Sequence, residues 1–429
     1  MQSRRVAITG IGAVSPLGHS VDETWHNLIS GKSGMDMIQQ FDASHFPTRF
    51  AAEVKQFKLP AAFKKRHHRF AMSFTQFALM AATEAFDDAG LRPTQTNADR
   101  WGIVAGSGMM TAEFDYLSRF QKAIAPTGEP DWSLLGDDEH GFFNLVDFGK
   151  TQSNSGLSLL IKEFGINGYA NSVHTACASG GQALGLALQV IRRGDADCIL
   201  AGGFDSMINP LGLSSFCLLG ALSTYNETPH TASRPFDLTR NGFVLGEGAA
   251  FLILEEWGHA KKRGARIYAE LRGEGNSLSS YRITDSHPNG DGAIQAITGA
   301  LKDGGLKANE IDYINAHGTS TKMNDLSETN AIKAVFHERA APPVSSTKGQ
   351  TGHLIAAAGA LEAVISVKTI TTNLLPPTAN LTTADPDCDL DYVVEGPREK
   401  SVGAVLSNSF GFGGSNSCLL FTHPELKGA

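Results

Sequence analysis

Hydrophobic and polar positions follow two periods along the chain. Short apolar runs at Arg5–Thr9, Gly102–Ala105, Cys198–Ala201, Ala249–Leu254, Ile311–Ala316 and Gly403–Leu406 predict strands. A strand covered on both faces reads as a continuous apolar run. Longer stretches with apolar residues three and four apart predict helices over Phe70–Ala89, Gly180–Arg193, Asp325–His337 and Leu354–Ile370. Ser20-Val21-Asp22-Glu23 has the form of a capping box, and Gly90 and Gly194 stand where helix C-cap glycines belong. The alternation predicts an α/β protein with largely parallel sheets covered by helices. The polar stretch Ala125–Asp147 predicts an irregular excursion.

One helix pattern occurs twice. Ala78–Leu91 can be laid without a gap on Ala293–Leu306, and seven of the fourteen positions are identical. Each copy leads into an apolar strand. Two copies are too few for a solenoid. They predict two similar α/β halves, residues 1–255 and 256–429, related by a pseudo-twofold axis.

Composition narrows the function classes. A chain of 429 residues can bury a core without disulfide or metal staples. Charged residues are 19%, which excludes a disordered or coiled-coil chain. The net charge of −8 argues against bulk binding of nucleic acid, which needs a basic face. No uninterrupted apolar run reaches the ~18 residues of a membrane span. Gly10, Gly12 and Pro16 break the apolar N-terminal run, which suits a strand and turn better than a signal peptide. The five cysteines, Cys177, Cys198, Cys217, Cys388 and Cys418, include no CxxC. That predicts no disulfide framework, no metal site and a reducing, cytoplasmic location. Gly10-Ile11-Gly12 is not a dinucleotide fingerprint, since Ser15 stands at the third glycine's place.

Four segments carry candidate chemistry. In Ser172–Gly181 a β-branched run ends in Cys177 and small residues open a helix. A sulfur at a helix N-terminus is predicted to have a lowered pKa and to act as a nucleophile. Small neighbours would let a substrate approach. His174 reads as structural. In Ile314–Thr321 a strand ends in His317, and Thr319 and Thr321 follow with hydroxyls for a ligand amide. In Ser345–Leu354 a glycine loop carries Lys348 and ends in His353, which opens a helix. Glu362 lies nine residues later on an apolar face, either as a partner in the site or as part of a structural network. In Leu406–Ser417 glycines expose backbone N–H groups, a natural oxyanion nest, and Phe410 and Phe412 flank it as a gate or as packing.

In combination, Val6–Gly18, Thr175–Gly180, Arg234–Gly248, Asn315–Thr321, Ser345–His353 and Asn408–Asn416 resemble the elongating β-ketoacyl-(acyl-carrier-protein) synthases over nearly the whole chain. The resemblance implies a thiolase-like duplicated fold, a five-layer αβαβα sandwich with two mixed sheets. It implies decarboxylative condensation of acyl- and malonyl-carrier protein, with Cys177 accepting the acyl chain and His317 and His353 serving the malonyl group. It further implies an oxyanion hole from the amides of Cys177 and Phe412, Lys348 orienting the site with Glu362 in support, and Phe410 and Phe412 at the gate. Thr319, Thr321 and Gly413 would bind substrate, and Met109 would line the acyl pocket. The implied partner is an acyl-carrier protein, which brings the phosphopantetheine arm with it, so that no cofactor is implied for this chain, and the implied assembly is a homodimer.

Some positions depart from the family. Gly349-Gln350 follows Lys348 where many members have a small residue and Met. Gly220 replaces an Arg that helps several bacterial members dock the carrier. Lys64, Lys65, Arg66 and Arg69 are then the candidate basic patch. A thiolase would need a second Cys within Gly411–Ser415, which has none, and initiating synthases use Cys-His-Asn. A non-catalytic chain-length partner typically lacks the nucleophilic Cys.

Overall fold

The glycines of the first apolar run explain how the outermost layers form. The computed structural model describes residues 4–108, 117–118, 128–129, 131, 133, 145–282, 284–337 and 340–426. Met109 and nearly all of the Ala125–Asp147 excursion lie outside the described residues, as does the side chain of Arg66. Strand β1 (Val6–Val14) is buried throughout and lies under the helix Ser73–Ala89. A Cβ at Gly10 would lie 2.2 Å from the Ala85 carbonyl oxygen, and one at Gly12 would lie 1.9 Å from that of Ala81. The second half repeats the device. In β8 (Ala269–Leu278), a Cβ at Gly273 would lie 2.5 Å from the Ala300 oxygen and one at Gly275 2.1 Å from that of Ala296. Ala81 and Ala85 are the residues that the internal repeat superposes on Ala296 and Ala300. The repeat therefore preserves a close approach of helix backbone to strand backbone. Gly12→Ala forces these apart and should lower stability by about 1–3 kcal/mol, as overpacking does, measurable by urea unfolding. An unchanged midpoint would contradict the contact.

The remaining strands of the first half are β4 (Trp101–Ser107), β5 (Ala170–Val173), β6 (Cys198–Ser206) and β7 (Glu247–Glu256). Those of the second are β9 (Tyr313–Asn315), β10 (Val344–Ser345), β13 (Ala404–Phe410) and β14 (Ser415–Thr422). Two small pairs, β2 (Asp36–Met37) with β3 (Phe50–Ala51) and β11 (Leu374–Leu375) with β12 (Arg398–Glu399), stand apart. The first half is ordered β1-β7-β6-β4-β5 and the second β8-β14-β13-β9-β10. Numbered within its half, each sheet runs 1-5-4-2-3. In both, the first two pairings are antiparallel and the last two parallel. Ala7 and Ile8 also pair with Glu270 and Ala269, so the two mixed sheets are joined into one ladder of ten strands.

Helices fill the layers around the two sheets. Ser73–Ala89 covers the first sheet and Asp291–Gly304 the second, while Ser179–Arg193 and Ala358–Thr372 lie between them and touch both. The predicted Leu354–Ile370 helix is a 3-10 turn at Ile355–Ala357 followed by Ala358–Thr372. Its Ile355–Thr372 stretch is long and apolar enough to cross a membrane, yet 83% of it is buried inside the protein. The predicted Phe70–Ala89 helix begins at Ser73, after a separate turn of helix at Lys65–Phe70. Gly90 and Gly194 do adopt the left-handed conformation, at φ +57° and +85°. Ser20 caps Glu23 N–H, but the Glu23 carboxylate reaches His19 N–H, one residue beyond the capping-box position.

Candidate active site

Both central helices start in the same way. Ala176 (φ +49°) and Ile355 (φ +47°) each begin a 3-10 turn that feeds a central helix. Left-handed backbone at a residue with a Cβ stores strain that the surrounding packing must hold. The two helix starts also press together. A Cβ at Gly180 would lie 2.8 Å from Ala360 N, and one at Gly359 2.7 Å from Gly181 N. The small residues after Cys177 therefore serve helix–helix approach, rather than the substrate access read from sequence.

Cys177, His317 and His353 converge at the floor of a cavity of about 460 Å³. One side-chain ligand atom from each lies within 4.8 Å of the others. All three are nearly buried, at 4%, 1% and 2% exposure. The imidazole rings meet edge to face with centroids 5.2 Å apart. His353 is fixed by its backbone, which exchanges hydrogen bonds with the Phe243–Gly246 strip (His353 N to Val244 O, 2.7 Å; Gly246 N to His353 O, 2.9 Å). The Phe243 ring packs edge-on against the His353 ring at 5.3 Å. His317 is fixed by Glu328, whose carboxylate accepts from His317 N at 2.9 Å and Gly318 N at 2.8 Å. Asn408 Nδ2 donates to the same carboxylate at 2.9 Å. Lys348 is 2% exposed; its ammonium donates to His317 O at 2.6 Å and is paired with Glu362.

The electrostatics correct one expectation. Burial pushes the Cys177 thiol up to about 12, against the opposing pull of the Lys348 charge and of the Phe412 and Cys177 amides. Desolvation outweighs the helix N-terminus, so Cys177 rests as a neutral thiol. Burial, then the Lys348 charge, holds His317 and His353 well below the usual histidine value, so both rings are neutral near pH 7. Burial pushes Glu362 up to about 7. The amides of Cys177 and Phe412 both act to lower the thiol's pKa, which sets them beside the sulfur, where an oxyanion hole would lie. In the other half, the matching amide of Ala356 is occupied: the buried Asp205 carboxylate accepts from Ala356 N at 3.0 Å.

The β-ketoacyl synthase N-terminal domain profile matches residues 3–260, and the β-ketoacyl synthase C-terminal domain profile matches residues 268–382. The chain belongs to the β-ketoacyl synthase family. It is 43% identical to the 3-oxoacyl-(acyl-carrier-protein) synthase 2 of Coxiella burnetii, over 98% of this chain and 99% of the relative. It is 39% identical to the Vibrio harveyi protein of the same name, over 98% and 99%. Among solved structures, a β-ketoacyl synthase from Burkholderia phymatum superposes with a TM-score of 0.88 at 34% identity, over 98% of this chain and 99% of that one. A type II polyketide ketosynthase, solved with its acyl-carrier protein and bound to a hexaketide, gives 0.86 at 34% identity, over 99% and 100%.

Within this synthase, the cavity wall contains Thr319, Thr321, Phe410 and Phe412, all named from sequence. The Thr319 and Thr321 hydroxyls lie 3.0 Å apart. Gly413 does not line the cavity. It is exposed, and its φ of +81° serves the turn between Phe412 and Gly414. Lys64, Lys65 and Arg69 are exposed but lie away from the cavity; Lys64 pairs with Glu163 at 3.6 Å. Glu328 was not read from sequence. It could have been found as Glu362 was, being a carboxylate on a buried helix face. Cys177, His317 and His353 also have the spacing of metal ligands, but the neighbouring Lys348 ammonium opposes a cation. A second such set, Cys198, Glu255 and His259, has both Glu255 oxygens held by Arg263 at 2.7 and 2.8 Å.

Proposed function

We propose that this chain condenses an acyl group, carried on Cys177, with malonyl-carrier protein, releasing CO₂ and giving the 3-oxoacyl-carrier protein. The supporting observation is the convergence of one thiol and two neutral imidazoles at one buried place, with the amides of Cys177 and Phe412 beside the sulfur. The acyl thioester carbon is attacked by the Cys177 sulfur. The proton of the buried thiol leaves with the carrier's thiolate, so no separate base is required and no net charge is buried. The amides of Cys177 and Phe412 receive the developing oxyanion. The malonyl thioester then takes the place of the first carrier. Loss of its carboxylate as CO₂ leaves an enolate, whose oxygen accepts hydrogen bonds from the neutral rings of His317 and His353. The enolate carbon attacks the acyl–Cys177 carbonyl, the C–S bond breaks, and the expelled Cys177 thiolate takes up one proton from solvent to restore the neutral thiol. Lys348 holds the His317 backbone and supplies positive charge beside the enolate. The chain would need no bound cofactor and would work as a homodimer, in keeping with the family resemblance.

The protonation states give a pH test. A Cys177→Gln variant isolates the decarboxylation step, since that step needs no acyl-enzyme. Both imidazoles already act as neutral donors, and their folded values lie well below 6.5. Acid must therefore pass well beyond 6.5 before imidazolium forms. CO₂ release from malonyl-carrier protein should stay level from pH 8 to about 6. An inflection near the ordinary histidine value would overturn the neutral-donor role.

A further inference from the structure

The wall of the cavity changes character steadily from floor to rim. His317 is 1% exposed and Thr319 5%, Thr321 is half-buried, and Lys322 is exposed. All four line the same cavity, so one short stretch of chain runs from the reacting centre to the solvent. Thr321 anchors it by accepting from Asn324 N at 3.3 Å, and Arg240 donates to the Lys322 carbonyl at 3.2 Å. Lys322 is the only lysine or arginine that lines the cavity among the described residues. Leu219, Gly220, Ala221, Asn241 and Gly242 add no charge to the wall. The one carboxylate at the rim, Asp285, faces Arg282 at 3.4 Å. Among the described residues, the Lys322 ammonium has no ion pair and no hydrogen-bond partner. An uncommitted ammonium at the mouth of a neutral cavity is suited to an anion that enters with the substrate.

We propose that Lys322 is a specificity residue that binds the phosphate of the substrate's carrier arm. This rests on the function proposed above. Along such an arm the thioester comes first, then the amides, then the phosphate. The wall offers imidazoles, then paired hydroxyls, then the ammonium, in the same order. Lys322 touches no reacting atom, so it acts on binding and leaves the chemistry alone.

The test uses two malonyl thioesters that differ only at the phosphate, malonyl-phosphopantetheine and malonyl-pantetheine, with CO₂ release as the readout. Wild-type chain should show the lower KM for the phosphorylated thioester. Lys322→Ala should raise that KM about three- to tenfold with kcat unchanged, leave the KM for malonyl-pantetheine where it was, and so remove the preference. Lys322→Arg should keep it. Malonyl-coenzyme A separates the arm phosphate from carrier-protein contacts, because it bears the phosphate without the protein; Lys322→Ala should raise its KM as well. Equal KM values for both pantetheine thioesters in wild-type chain, or an equal rise for both in Lys322→Ala, would overturn the assignment of Lys322 alone. Absence of CO₂ from every thioester and from malonyl-carrier protein would overturn the function itself.

Discussion

Cys177→Ala is expected to lose at least about 10³-fold of condensing activity, measured as 3-oxoacyl-carrier protein formed from acyl- and malonyl-carrier proteins. No other cysteine can replace it. Cys198, Cys388 and Cys418 are buried and, like Cys217, do not line the cavity. The same variant should no longer become acylated when given acyl-carrier protein alone, as mass spectrometry of the intact chain would show. Cys177→Gln should likewise fail to condense yet still release CO₂ from malonyl-carrier protein, because His317 and His353 are untouched. Acylation that persists in Cys177→Ala would move the nucleophile elsewhere. Loss of decarboxylation in a folded Cys177→Gln chain would show that the two steps are not separable in the way the geometry implies.

The second large effect concerns the pair beneath the site. Lys348 and Glu362 are 2% and 3% exposed and paired. Removing one partner of a buried ion pair leaves a charge without compensation and costs about 3–5 kcal/mol, whereas replacing both by apolar residues of similar size is often neutral. Glu362→Ala should therefore lower stability by about that amount in urea unfolding. Lys348→Met combined with Glu362→Leu should recover most of it. The double variant should remain about 10²–10³-fold slower in condensation, since it lacks the charge beside His317. A stable double variant with full activity would reduce the pair to a structural role.

The duplicated α/β fold was legible because strand glycines and helix alanines leave a signal at fixed spacing. The Ala78–Leu91 repeat is visible for that reason. A second repeat was equally visible. His174–Gly181 reads HTACASGG and His353–Ala360 reads HLIAAAGA, and their central helices start in register. It relates the nucleophile to Ala356 and aligns the two residues with positive φ. The thiol's raised pKa could not be read locally, since it arises from burial by both halves at once. Glu328 was hidden because its role is to hold backbone N–H groups eleven and ten residues earlier, a contact that leaves no periodic trace. The helix expected from Leu354 starts at Ala358 because the left-handed turn at Ile355 intervenes, whereas the one expected from Gly180 starts at Ser179.

The bonds of Asp205 bear on why a symmetric scaffold has one working centre. A duplicated fold builds two anion nests, one at Cys177 and Phe412, the other at Ala356 and Ser206. In the second nest the protein supplies its own anion, since the Asp205 carboxylate accepts from Ala356 N at 3.0 Å. In the first, the residue before Phe412 is Gly411, which has no side chain to occupy the space. A Cβ there would come within 2.8 Å of Thr175 O and 3.2 Å of Cys177 N. The second copy thus holds a tethered carboxylate where the first has only the backbone of Gly411. Two differences at equivalent places, Cys177 against Ala356 and Gly411 against Asp205, separate the two copies.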